Sequence, residues 1–310
     1  MLALGAVLIL LLAACGDDVA TSEATDDDPV TTTTTPVPGP DTPDTPDTPD
    51  VVVAMPSSLY FVAAVTEPSA GGVVDALVAT GRPADEAGRP DEALAALLAG
   101  PSEFEVEIGF SSAIPVSTEL NGVTVADGVA TADLGAAFEE PSGAFSDTLR
   151  VAQVVFTLTA FDEIDTVRFS IDGNDRDVIG SHGIDVDGPD GRGLGRDDIS
   201  EARPPILVEA PVPGATLGDE LVVSGEANTF EATVRWAITD PEGEILDEGF
   251  TTASAGNGTW GTFSFTIASV ADAEIGRGGL ASLILWEDSP VDGRQTNLVE
   301  VPLRWSEGPE

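Results

Sequence analysis

A single cysteine occurs in 310 residues, and it stands at position 15. No internal disulfide can brace the fold, so stability has to come from apolar cores. A chain of this length has room for two ordinary domains. Its charge narrows the partners: 12 basic side chains, all arginine, face 55 acidic ones, for a net charge of −43. Such a surface repels nucleic-acid phosphates and anionic headgroups, and it favours cations, basic partners or a salty medium that screens self-repulsion. Proteome-wide acidity in a salt-adapted organism is the plainer reading of that balance. The absence of lysine beside abundant Ala, Gly, Val, Asp and Thr suggests a GC-rich bacterial genome.

Residues 2–14 are apolar or glycine throughout. That is shorter than the roughly 20 apolar residues needed to span a bilayer, and it fits the apolar core of a signal peptide. No Lys or Arg precedes the core. The run Leu12-Ala13-Ala14-Cys15 resembles a bacterial lipobox, in which small residues fit the signal peptidase and the thiol receives a diacylglycerol. The resemblance implies a signal peptide over 1–14, cleavage between Ala14 and Cys15, and lipidation of Cys15. The mature chain would be tethered to the extracytoplasmic face of the cell membrane, where two acyl chains suffice for stable anchoring. The alternative is an ordinary cleaved signal that leaves Cys15 a free thiol. Residues 15–54 follow as an acidic patch, the threonine run 31–35 and three Asp-Thr-Pro repeats. Proline removes backbone donors and the aspartates repel one another, so this stretch is expected to be a disordered stalk.

Residues 55–173 read as an α+β domain with two helices on a small sheet. The run Leu59-Tyr60-Phe61-Val62-Ala63-Ala64-Val65 predicts a buried strand. Pro90-Asp91-Glu92 opens a helix carrying Leu94, Leu97 and Leu98 on one face, and Gly100-Pro101 stops it. Asp127-Gly128 between two apolar runs predicts a hairpin. Residues 147–160 are apolar on nearly all sides and read as a buried helix, although their valines also suit a strand. Val167-Arg168-Phe169-Ser170-Ile171 alternates as a strand and ends at Asp172-Gly173. Residues 174–203 are rich in Gly, Asp and Arg without apolar periodicity, which predicts a linker or long surface loop. Beyond it, residues 204–307 carry seven short strand patterns broken by turns, as in a β-sandwich.

Two family resemblances attach to these domains. The first domain resembles the GerMN domain of sporulation and spore germination proteins. The resemblance rests on Leu59-Tyr60-Phe61, Leu97-Leu98-Ala99-Gly100-Pro101, Asn121-Gly122-Val123 with Asp127-Gly128, and the segments 150–159 and 167–173. The second resembles the immunoglobulin-like domain of bacterial spore germination, through residues 206–211, Val222-Val223-Ser224-Gly225, Gly258-Thr259-Trp260-Gly261, Glu287-Asp288-Ser289-Pro290 and 297–303. They imply an envelope lipoprotein whose domains make contacts with the cell wall or other envelope proteins. Neither supplies a catalytic motif.

The sequence offers little chemistry of its own. The one histidine, His182, lies in the Gly/Asp-rich segment, where a relay to a nucleophile lacks a rigid support. One His and one lipidated Cys make a zinc site unexpected, and no cofactor or metal is expected. The stretch Asp185-Val186-Asp187-Gly188-Pro189-Asp190-Gly191 is oxygen-rich but lacks the ligand spacing of a calcium loop, so a solvated acidic loop is expected. Trp236 and Trp286 sit in strand patterns and read as core. Trp260, set between glycines, is the candidate for stacking on a sugar, with packing against Phe263 as its alternative. The leading expectation is a non-enzymatic, lipid-anchored interaction or scaffold protein. A glycan- or peptidoglycan-binding sandwich is the alternative. A carboxylate-based wall hydrolase is a third, less favoured reading.

Overall fold

The computed structural model describes residues 57–67, 72–217, 220–268 and 280–305. The signal and stalk segments, with Ala14 and Cys15, lie outside the described residues. Strand β1 (Ser57–Glu67) forms where expected, and Leu59, Tyr60 and Phe61 are wholly buried. It pairs antiparallel with β2 (Gly72–Arg82) over its full length, from Ser57 opposite Arg82 to Glu67 opposite Gly72. The short helix α1 (Ala84–Ala87) leads into α2 (Pro90–Leu98), which starts on proline, carries Asp91 and Glu92 in its first turn, and buries Leu94 and Leu97. Helix α3 (Glu103–Glu107) is closed by a reciprocal capping box between Ser102 and Glu105.

Strands β3 (Leu120–Ala126) and β4 (Val129–Leu134) form the expected hairpin. Asp127 and Gly128 both take positive φ, 52° and 79°, as a tight two-residue turn requires. Helix α4 (Ala144–Leu158) then carries the chain across to β5 (Thr166–Ile171), which lies parallel to β4. The helical reading of this segment therefore holds over its strand alternative. Tertiary packing explains its all-round apolarity: twelve of its residues are buried, from Asp147 to Leu158. Its polar groups serve the backbone of β1. Gln153 Nε2 donates to the Tyr60 carbonyl at 3.0 Å, and Thr157 Oγ1 accepts from the Tyr60 N–H at 3.2 Å.

The segment 174–203 differs from the linker expected for it. A turn on Asp172 and Gly173 brings β6 (Asn174–Arg176) back against β5, and β7 (Val178–Ile179) pairs with β8 (Ile184–Asp185). Val167 and Leu194 exchange backbone hydrogen bonds at 2.9 Å, and a 3₁₀ turn covers Arg196–Ala202. Ile179, Val186, Leu194, Ile199 and Ala202 all enter the first core. These apolar residues are isolated in sequence, so no periodicity announces them, yet each is buried.

The remaining strands are β9 (Ile206–Ala210), β10 (Thr216–Leu217), β11 (Glu220–Ala227), β12 (Thr233–Thr239), β13 (Ile245–Thr252), β14 (Gly261–Ala268), β15 (Leu280–Asp288) and β16 (Gln295–Trp305). They form a three-stranded sheet, β14-β11-β9, and a five-stranded sheet, β10-β16-β15-β12-β13. All seven expected strands are present, and the two-residue β10 is an addition to them. Val234, Trp236 and Ile238 point inward from β12 to join Phe263, Ile267, Leu283 and Leu285 in a second core. One strand serves both cores: Ile206 and Val208 of β9 belong to the second, whereas Leu207 between them belongs to the first.

Candidate functional site

His182 sits in the turn between β7 and β8, and the structure holds it more firmly than its sequence neighbourhood suggests. Its Nδ1 lies 3.0 Å from Asp147 Oδ2 and 3.1 Å from Ser181 Oγ, and its backbone N–H donates to the same carboxylate at 3.3 Å. A hydrolytic relay places the nucleophile and the acid on opposite ring nitrogens. Here both fall on Nδ1, so the cluster pins the β7–β8 turn to the start of α4. Burial alone would raise the Asp147 carboxyl. Hydrogen bonds from Ser142 and His182 and the Arg150 charge outweigh it and hold the group below the usual aspartate range.

The aspartates of 185–191 are used locally. Asp185 accepts from the Asp187 N–H at 3.1 Å, Asp190 from the Arg192 N–H at 3.2 Å, and Asp187 pairs with Arg168 at 3.3 Å. Among the described residues no group of three or more His, Cys, Asp or Glu side chains is placed to hold a metal ion. Trp236 and Trp286 are buried, as read from the sequence. Trp260 is half-buried, and its partner is Arg203, whose guanidinium carbon stands 4.0 Å from the ring centroid. One face of the ring proposed to stack on a sugar is therefore covered from within.

That arginine belongs to a cluster no sequence pattern pointed to, at the seam between the α+β domain and the sandwich. Arg196 donates to Glu209 at 2.7 Å, to Glu226 at 2.9 Å, to the Tyr60 hydroxyl at 2.9 Å and to Thr159 at 3.1 Å. Arg203 donates to Glu226 at 2.6 Å, to Asp197 at 2.7 Å and to the Arg196 carbonyl at 3.2 Å. The Tyr60 hydroxyl in turn donates to Glu209. Both guanidinium groups lie against the Phe156 ring, at 5.0 and 5.5 Å. A planar, delocalised cation suits this position, because it can stack on aromatic faces while its edge donates to carboxylates. Burial drives the Tyr60 hydroxyl well above its usual value, and Glu209 adds to that while Arg196 opposes it. Burial would lower Arg196, but the Tyr60 oxygen, the charge and hydrogen bond of Glu209 and the Glu226 charge more than reverse this and raise it.

An open cleft of about 460 Å³ borders the cluster, lined by Thr159, Asp165, Asp198 and the two arginines among others. Glu209, Glu226 and Asp197 already compensate the arginine charges. The arrangement holds two domains together. Away from the cluster, Arg304 of β16 stacks on Phe104 of α3 at 5.3 Å. The only trace of the seam in the sequence is that Arg196 and Arg203 are two of just 12 cations; no spacing pairs them with Glu209, Glu226 or Tyr60.

Comparison with known proteins agrees with this division. Residues 58–177 match the family model described as sporulation and spore germination, and residues 205–294 match the immunoglobulin-like domain of bacterial spore germination. Among solved structures, the chain is similar to the first GerMN domain of the sporulation protein GerM from Bacillus subtilis. Identity is 25%, covering 45% of this chain and 98% of that one, with a TM-score of 0.33. A putative lipoprotein from Clostridium perfringens matches at 19% identity over 48% of this chain and 92% of its own, with a TM-score of 0.32. The tandem GerMN domains of the same Bacillus subtilis protein match at 18% identity, covering 70% of this chain and 63% of that one, with a TM-score of 0.33. No curated protein gives a significant match. The two matches flank residues 178–204, which hold the seam arginines. The chain thus carries a match to the sporulation and spore germination family over 58–177 followed by a match to the immunoglobulin-like domain of bacterial spore germination over 205–294.

Proposed function

We propose that the chain is a lipid-anchored, non-catalytic interaction module of the cell envelope, held by acyl chains on Cys15 at the extracytoplasmic face of the membrane. There it would present its two domains to the cell wall or to partner envelope proteins. The carrying observation is the pairing of two sporulation- and germination-type domains in one chain, joined by a seam whose charged side chains pair with one another. Such a seam fixes two surfaces relative to each other, which suits a scaffold. The lipobox-like run ending at Cys15 supplies the anchor in this reading. Mass spectrometry of the native chain tests it. The expected amino-terminal peptide begins at a diacylglyceryl Cys15, and Cys15→Ser shifts the protein out of the membrane fraction. An unmodified amino terminus on the native chain, or membrane retention of Cys15→Ser, overturns the anchor.

A further inference from the structure

The outer face of the five-stranded sheet ends in β13, which is hydrogen-bonded to β12 alone among the described residues. Its other edge therefore presents a row of backbone donors and acceptors, the template on which another strand can add. Natural edge strands are often blunted by charge, proline or a bulge. Strand β13 has no proline, and its register shift opposite Ile238 and Thr239 leaves 247–252 regularly paired with β12. It exposes Ile245 and Phe250, 59% and 66% accessible. Register continues this surface inward. Phe250 lies opposite Arg235, and Glu248 lies opposite Ala237, which in turn faces Ile284 on β15. Apolar contact area thus runs beside carboxylates. Arg235, the cation on this row, is engaged by Asp288 at 3.0 Å, while β13 itself contributes Asp247 and Glu248.

These features select the occupant. A second copy of the chain would bring an equally acidic edge to a molecule of net charge −43, so like charges oppose self-pairing. Only a polypeptide matches the backbone row. A basic side chain complements Glu248, and apolar side chains match Phe250 and Ile245, which lie on the same face as Glu248. Asp247 lies on the other face and accepts from the Glu248 N–H at 2.9 Å. We infer that β13 is a docking edge for an extended segment of another protein that carries, on one face, a basic residue flanked by apolar ones. The inference rests on reading the chain as an interaction module, and it names the face and the partner chemistry.

Calorimetric titration of the full chain in detergent, at physiological salt, tests it with an end-blocked peptide of about ten residues in which one face carries Val, Arg and Val in turn and Thr occupies the positions between. Binding is expected, with hydrogen-exchange protection over 245–252. Phe250→Ser and Glu248→Arg are each expected to weaken it about tenfold. Glu163→Arg, the same charge change on an exposed loop of the first domain, should leave it unaltered. A peptide with alternate backbone nitrogens methylated should fail to bind. Equal affinity for the methylated peptide, or for the same peptide with Glu in place of its Arg, would overturn the inference. So would indifference to Phe250→Ser, protection elsewhere, or self-association through this edge. The titration is independent of Cys15: an absent lipid would leave it standing, and a failed titration would leave the anchor untouched.

Discussion

Glu105 is one of 55 acidic residues, yet burial gives it a structural task. Its two oxygens accept from Arg82 at 2.6 and 2.7 Å, and Thr80 and the Ser102 N–H complete its shell. Burial alone would raise its carboxyl, but the bonds from Arg82, Thr80 and Ser102 prevail and lower it to about 2. Because the folded value lies below the unfolded one, the stabilisation is fully present above the unfolded pKa and disappears as pH falls through the folded one. Glu105→Gln is expected to cost about 3 kcal/mol at neutral pH in urea denaturation. The gap from the wild type should narrow between about pH 5 and pH 2. Gly180 is a second such position. Its φ is +75°, and a Cβ there would meet the Asp147 carboxyl at 2.8 Å. Gly180→Ala should lower stability by about 2 kcal/mol or more, measured the same way, and loosen the turn bearing His182. The Ser102-x-x-Glu105 spacing is legible in sequence as a cap. The partnership with Arg82 is not, since it depends on where β2 lies.

Among the elements, periodicity decided what could be read. The sandwich strands alternate because each has one face on a core, and that is why seven of them can be read from 204–307. Helix α2 showed its proline start and leucine face. The sequence signal for β2 is weaker: an apolar run follows the Pro/Ser/Gly-rich residues 68–72, whose composition is that of a turn. The segment 174–203 could not be read as packed, because Ile179, Val186 and Leu194 are buried one at a time between glycines and aspartates. Helix α4 joins these parts. Phe156 is fully buried, makes an edge contact with Tyr60 at 5.4 Å, and carries both seam arginines on its ring. Phe156→Ala is expected to cost about 4 kcal/mol through the cavity it leaves. The loss should exceed that of Phe138→Ala in its effect on the sandwich, read by hydrogen exchange in β9 and β11.

For the whole molecule, the seam predicts that the two domains unfold together. Calorimetry on the native chain should show one transition over the folded region. Arg203→Met removes one cation and leaves Glu226 with Arg196 alone. It should cost about 3 kcal/mol and split the transition in two, whereas the exposed Arg294→Met should leave a single one. Sequence could not disclose this coupling. Tyr60 and Glu209 stand 149 positions apart, and nothing local marks them as neighbours.

Strand β9 lends Leu207 to one core and its flanking residues to the other. A genetic exchange that joined either domain to a foreign partner just before residue 206 would leave one interior short of a side chain and expose the other's edge. A chimera cut there should therefore lose stability in both halves, whereas insertions at the outer loops should be tolerated.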